Sequence, residues 1–141
     1  MEIKDFRGEY FFLSNFYNAP VQYDEITFLN NESAFQSMKC IDREERCSFA
    51  PLDPSAAKRK GRHVKLREDW ENVKEQYMYD IVLAKFTQNS DLRAKLLATR
   101  DAYLEEGNTW GDREWGTVNG VGNNKLGKIL MTVREVLRNE K

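Results

Sequence analysis

Histidine and cysteine are scarce in this chain, and the scarcity narrows its chemistry before any motif is considered. The 141 residues hold one His, His63, and two Cys, Cys40 and Cys47. A Cys/His zinc site needs four protein ligands, or three and a water, so these three residues leave almost no freedom to build one. The two cysteines are seven apart and form no CxxC pair. They read as reduced thiols of a cytoplasmic protein. A Ser-His-Asp or Cys-His apparatus would have to use His63, which lies inside a basic run. No metal and no cofactor is expected, and acid–base work falls to carboxylates and a lysine. Proline is confined to Pro20, Pro51 and Pro54, and no repeat, low-complexity tract or linker interrupts the chain. A single domain over residues 1–141 is expected. No apolar run reaches the ~18 residues of a membrane span. The opening MEIKDFRGEY is charged and holds no signal-peptide core. With 22 Lys+Arg against 23 Asp+Glu, no charge excess draws the whole chain to nucleic acid or to an acidic membrane.

What is present is the composition of a folded domain, 40% apolar and 12% aromatic. Residues 9–29 read as short strands, with Asp24-Glu25 as the bend of a small hairpin. Residues 31–46 read as one helix, capped by Asn30 or Asn31, with Ala34, Met38 and Ile41 at helical spacing. Asp53-Pro54 is a second helix start, and Gly61 would end that helix. Asp69 would cap a long helix with Trp70, Val73, Tyr77, Ile81 and Ala84 on one stripe, stopping near Gln88-Asn89. Ser90 would cap a shorter helix holding Leu92, Leu96 and Leu97, and AYLEE reads as a strand. Six of the eight glycines fall between Gly107 and Gly127, which marks a long loop. Asn124 then caps a last helix with Leu126, Ile129, Leu130, Val133 and Leu137. The fold class is therefore α+β and mainly helical, four to five helices with a small antiparallel β-element.

Three constellations could carry chemistry. Glu32, Gln36 and Lys39 fall on one stripe of the helix from residue 31, opposite its apolar stripe. The ordinary reading is a solvated face. The functional reading is the polar wall of a cleft, with a carboxylate, an amide and an amine converging on a ligand. The second is TWGDREWG, residues 109–116. Its two tryptophans either fold back onto the core or offer a surface for a flat ring, with Asp112 beside Trp115. Gly120-Val121-Gly122 could also bring backbone N–H groups to a phosphate, although two glycines before a helix are common. The third is KRKGRHVKLR, with six Lys/Arg in residues 58–67. It is either a solvated helix end or a patch for phosphate, including that of nucleic acid.

The order FLSNFY, NESAFQSMK, AAKRKGR with VKLREDW, AKFTQN, LLAT, WGDREWG and GVGNNKLGKILMTVR resembles the NADAR (YbiA-like) family over about residues 6–138. The family's Glu-His-x-x-Gln-x-x-Lys is matched by Glu32, Gln36 and Lys39, with Ser33 in place of the histidine. Ser14-Asn15-Phe16, Gly61-Arg62, the Trp70 segment, Asp112-Arg113-Glu114-Trp115-Gly116 and Gly122-Asn123-Asn124-Lys125-Leu126-Gly127 match as well. The resemblance implies N-glycosidase activity on a small ribosyl phosphate or on an ADP-ribosyl substrate. The former would be a phosphoribosylaminopyrimidine of riboflavin synthesis. The latter would be ADP-ribosylated guanine, free or within nucleic acid. It implies Glu32 as the first-choice catalytic carboxylate, Asp112 as the second, and Lys39 as a phosphate-binding cation or an attacking amine. Substrate binding would fall to Asn15, Phe16, Gln36, Arg62, Trp70, Trp115, Gly116 and Asn124. A module that binds ADP-ribose or a nucleotide without cleaving it is the alternative. The stripe from Glu32 to Lys39 is expected to be partly buried and to reach the glycine-rich loop.

Overall fold

The computed structural model describes residues 1–140. In chain order its elements are β1 (Glu2–Ile3), a 3-10 helix (Gly8–Leu13), β2 (Asn18–Tyr23), β3 (Ile26–Asn30), α1 (Asn31–Ser37), α2 (Arg43–Cys47), α3 (Pro54–Gly61), α4 (Trp70–Gln88), α5 (Ser90–Ala98), β4 (Tyr103–Leu104) and α6 (Lys125–Arg138). The class is the expected one, α+β and mainly helical. The chain divides into two compact units. One holds residues 1–14 and the chain from Ser90 onward, and the other holds Asn15–Asn89. No helix among the described residues is long and apolar enough to cross a membrane.

In the Asn15–Asn89 unit, β2 and β3 form an antiparallel hairpin with Gln22 opposite Thr27 and Tyr23 opposite Ile26. Its bend is Asp24-Glu25, both at positive φ (54° and 61°), the geometry whose twist suits a two-residue hairpin turn. The hairpin runs directly into α1. Asn30 caps that helix, its side chain accepting from the Ser33 N–H at 2.8 Å. The expected single helix over 31–46 is broken in two. The Lys39 carbonyl accepts from the Arg67 N–H (3.0 Å). The Met38 and Cys40 carbonyls accept from the guanidinium groups of Arg67 (3.3 Å) and Arg46 (2.7 Å). The carbonyls that the ended helix leaves open are thus satisfied from outside it. Ile41, expected on the apolar stripe, is 72% exposed in the gap. Asp53 caps α3 by accepting from the Ala56 N–H at 2.8 Å, with Pro54 next.

Asp69 stands at the cap of α4 but makes no side-chain cap bond. Its carboxylate pairs with Arg67 at 2.6 Å. The buried face of α4 is Trp70, Lys74, Met78, Ile81, Val82, Lys85 and Phe86. It is rotated from the expected stripe, because two lysines lie on the inner side where periodicity would place apolar residues.

In the other unit, Tyr10–Leu13 belong to the 3-10 helix and not to a strand. A six-residue segment opened by Gly8 at φ 56° tucks Phe12 and Leu13 inward. AYLEE supplies β4 as expected, but its partner β1 lies at the other end of the chain and pairs in parallel, Ile3 with Leu104. The 2-residue β1 is too short to show a pattern in sequence. Helix α6 buries Leu126, Leu130, Val133 and Leu137 together with Arg134, whose guanidinium donates to Thr99 Oγ1 at 2.9 Å.

Lys85 is 1% exposed, and its ammonium lies 5.2 Å from the Phe86 ring centroid and 5.6 Å from that of Tyr17. Burial pushes its pKa down to about 7. Between that value and the ordinary lysine range the unfolded chain carries the proton and the folded chain does not. Stability therefore rises with pH across this window and falls as pH drops toward 7. Urea unfolding from pH 7 to 10 should show this rise, at up to about 1.4 kcal/mol per pH unit. Lys85→Met should flatten it and be the more stable protein at pH 7. A wild type with no such rise would contradict this assignment.

Candidate active site

Helix α1 is a polar sequence in an interior position. All seven of its residues, Asn31-Glu32-Ser33-Ala34-Phe35-Gln36-Ser37, are buried, and α1 packs against β2, β3, α2, α3 and α4. Buried polar groups must find partners, and most of these do. The Glu32 N–H donates to the Asn15 carbonyl at 3.1 Å. Ser33 Oγ donates to the Leu52 carbonyl (2.8 Å) and Ser37 Oγ to the Ala34 carbonyl (2.6 Å). Ser33 is fully buried, so the residue that replaces the family's histidine ties α1 to the segment ahead of α3.

The stripe expected from helical spacing is real and is not a solvated face. Glu32 is 8% exposed and Gln36 7%. Gln36 Nε2 donates to Glu32 Oε2 at 2.7 Å, a short charge-assisted bond of the stronger kind. Lys39, one turn on, is half-buried; its Nζ lies 3.4 Å from the Gly61 carbonyl and 6.0 Å from the Trp70 ring centroid. Burial lowers the Lys39 pKa, the Glu32 charge pulls it back up, and the Arg62 charge pushes it down. Such a lysine is closer to acting as an amine than a surface lysine is. Trp70 is 6% exposed and tilts against Phe35 at 5.1 Å between centroids. Its ring is thus largely spent on packing. Asn15 is buried, with Nδ2 toward Met78 Sδ at 3.4 Å. Phe16 is half-buried, with Lys58 Nζ 5.8 Å from its centroid. Arg62 is exposed.

Two members of the basic run are engaged within the fold. Lys60 donates to Ser48 Oγ and sits over Phe49. Arg67 is held by Asp69 and by Tyr77 Oη at 3.0 Å.

Asp112, Trp115, Gly116 and Asn124 come together in the other unit and are described there by themselves. Asp112 Oδ1 accepts from the N–H groups of Glu114 (3.0 Å) and Trp115 (2.9 Å). This bonding turns the chain and sets the Trp115 backbone. Trp115 is half-buried, with Lys125 Nζ 5.6 Å from its centroid, whereas Trp110 is 57% exposed. A Cβ at Gly116 would collide with the Glu106 carbonyl and carboxylate. Asn124 precedes α6 at φ 49° and makes no side-chain cap bond. Its amide accepts from the Glu106 N–H (2.9 Å) and donates to the Leu104 carbonyl (2.9 Å).

The backbone N–H groups around the start of α6 are turned to the preceding loop. The N–H groups of Asn123, Asn124, Lys125 and Leu126 donate to the carbonyls of Arg113, Gly116, Glu114 and Trp115. Sequence reasoning missed Asn108. It is 6% exposed, donates to the Asp112 carbonyl at 2.9 Å and accepts from the Asp112 N–H at 3.1 Å. An Asn four residues before an Asp in a Gly-rich stretch is the signal that was available.

Fold and site together describe a mainly helical α+β domain with a carboxylate and an amide on one buried helix and a depressed-pKa lysine in the turn that follows it. The model of the NADAR domain matches residues 4–138. The N-glycosidase YbiA of Shigella boydii is 43% identical over 132 residues, which are 91% of this chain and 82% of that protein. The riboflavin biosynthesis protein VVA0006 of Vibrio vulnificus is 36% identical over 90% of this chain and 35% of its own length. The NMR structure of the E. coli protein YbiA is similar with a TM-score of 0.85 and 39% identity, over 98% of this chain and 84% of that one. The chain belongs to the NADAR family.

The Asp112 bonding gives a direct test of its role. Asp112→Asn keeps the Oδ1 acceptor and should leave stability within about 1 kcal/mol, whereas Asp112→Ala should cost about 1–3 kcal/mol. Hydrogen exchange at the Glu114 and Trp115 amides should speed up in the Ala variant only. Equal exchange in both variants would contradict the assignment.

Proposed function

We propose that this chain, a hydrolase acting on N-glycosyl compounds like the relatives it matches, cleaves the bond between a base nitrogen and ribose C1, with Glu32 as the essential carboxylate. The substrate proposed is a phosphoribosylaminopyrimidine of riboflavin synthesis. The observation that carries the reading is the buried Glu32 carboxylate, oriented by Gln36 at 2.7 Å on the same stripe as Lys39. The match to a relative named for riboflavin biosynthesis supports the substrate class.

Breaking the C1–N bond builds positive charge on C1 and the ring oxygen, and the leaving nitrogen must gain a proton. A carboxylate in a site of low dielectric meets the first need more strongly than one in water. A carboxylic acid meets the second, and a carboxylate that has taken a proton from the attacking water becomes such an acid. Water oxygen ends on C1, and its protons go to the released base and the new hydroxyl. The Gln36 donor bond limits the orientations open to Glu32, which keeps the carboxylate aimed as charge develops. Lys39 serves either as a cation for the phosphate or as an amine that attacks C1 of the opened sugar, expels the protonated base nitrogen and forms an imine that water then hydrolyses to free sugar and lysine. Its lowered pKa favours the second use over what a surface lysine could do.

The test is a panel of phosphoribosylaminopyrimidine and ADP-ribosylguanosine with detection of free base. Wild type should release aminopyrimidine, and Glu32→Gln should remain folded and lose about 10²–10⁴-fold in rate. Near-normal turnover in that variant would remove Glu32 from the mechanism. Release of base from ADP-ribosylguanosine alone would move the substrate to the ADP-ribosyl class. Tight binding with no base released from either would make the chain a binding module.

Lys39→Arg separates the two uses of the lysine. If Lys39 attacks the sugar, the arginine variant should be inactive, since guanidinium stays protonated, and borohydride should trap a sugar adduct on wild-type Lys39 during turnover. An active arginine variant with no adduct would leave Lys39 as a cation only.

A further inference from the structure

Gln36 is the group that holds Glu32, and what holds Gln36 is unusual. Its Nε2 is engaged by Glu32, and this turns Oε1, at the other edge of the planar amide, away from Glu32. Oε1 is buried and has no hydrogen-bond partner among the described residues. It lies against Gly61, the last residue of α3. A Cβ built on Gly61 would fall far inside van der Waals contact with Oε1 and only 2.7 Å from Gln36 Cδ. No backbone atom stands among the nearest three atoms that this Cβ would meet, and all three belong to the Gln36 side chain. Gly61 is also the residue whose carbonyl accepts from Lys39 Nζ at 3.4 Å.

We propose that Gly61 is a positioning residue for the active site, its missing side chain leaving the space in which the Gln36 amide is held against Glu32. The inference rests on the reading of Glu32 as the catalytic carboxylate. Gly61 closes α3 with no positive φ, so its backbone conformation is open to any residue and does not itself require glycine. Helical propensity alone would favour alanine there. The requirement comes from across the helix pair. A methyl group at residue 61 meets the movable end of Gln36, so the fold can yield cheaply while the amide cannot stay where it is. Once displaced, the amide no longer donates at 2.7 Å, and Glu32 is left buried without that donor. Lys39 senses the same change, because its partner carbonyl belongs to the residue that has been altered.

The test is a double-mutant cycle on purified protein, with Gly61→Ala, Gln36→Ala and the two combined. Gly61→Ala should keep its thermal midpoint near wild type. It should lose on the order of ten- to a hundredfold in kcat, as displacements near ~1 Å do, with KM little changed. The two losses should not add: the double variant should match Gln36→Ala alone, because the methyl group then has no amide to displace. Full kcat in a folded Gly61→Ala, or losses that multiply, would overturn the proposal. A substrate-free readout separates this from failure of the proposed reaction. The Gln36 side-chain amide resonances of wild type should be shifted and slow to exchange, and Gly61→Ala should move them toward ordinary solvent-exposed values. If no substrate of the panel is cleaved but the resonances move, the positioning stands and the reaction is wrong. If they stay unmoved, the positioning is wrong whatever the activity. Should Gly61→Ala fail to fold, the double variant decides: folding restored by Gln36→Ala supports the contact, and folding not restored refutes it.

Discussion

Everything in the Asn15–Asn89 unit answers to one constraint, the burial of a helix made largely of polar residues. Five of the seven residues of α1 are Asn, Glu, Ser or Gln, and none is exposed. Leaving such groups unpaired costs about 1–3 kcal/mol each. Asn30 therefore caps the helix, the Asn15 carbonyl takes its Glu32 N–H, and the Leu52 carbonyl takes Ser33. The hairpin exists to deliver Asn30 into this position, and Asn30 itself is fully buried, donating to Asn18 Oδ1 and the Leu52 carbonyl. Gln36 Nε2 donates to Glu32, while Gln36 Oε1 stays without a partner among the described residues. The same burial that makes α1 demanding is what strengthens Glu32 electrostatically and lowers the pKa of Lys39.

The glycine-rich segment of the other unit solves a related problem by different means. It has little regular structure, so its backbone groups are satisfied one by one. Asn108 brackets Asp112, Asp112 turns the chain at Glu114 and Trp115, and four carbonyls of 113–116 cover the first N–H groups around α6. Asn124, in the left-handed region, turns its amide to the Leu104 carbonyl and the Glu106 N–H. A loop so bonded is a rigid mount for Trp115 and not a flexible flap.

Several local signals were legible in the sequence, although Asp69 and Asn124 stand at helix starts without making the cap bonds expected of them, and distant ones were not. The cap at Asn30, the Asp53-Pro54 start and the Asp24-Glu25 bend each depend on residues within a few positions, and each is found where the residues place it. The break after Ser37 depends on Arg67 and Arg46 reaching back to carbonyls of 38–40, which no periodicity reports. The stripe Glu32-Gln36-Lys39 is visible from helical spacing, but its burial is not, because a helix enclosed on every side has no amphipathic signature. The inward turn of Lys85 is hidden for the same reason. Family motifs pointed to α1 and to the 112–127 segment, while the part played by Asn108 and the space beside Gly61 required coordinates.

The stripe along α1 is where the ribosyl group is handled in the proposed reaction. The most direct measurement is an NMR titration of folded Glu32→Gln protein with ribose 5-phosphate and with the intact phosphoribosylaminopyrimidine. Uncleaved substrate then occupies the site long enough to be mapped. The largest perturbations should fall at Gln36, Lys39, Gly61 and Trp70, saturating together with those of the substrate signals. Perturbations that leave these residues unmoved and gather instead around Glu9, Lys95 and Arg100, which line a separate depression in the other unit, would contradict it.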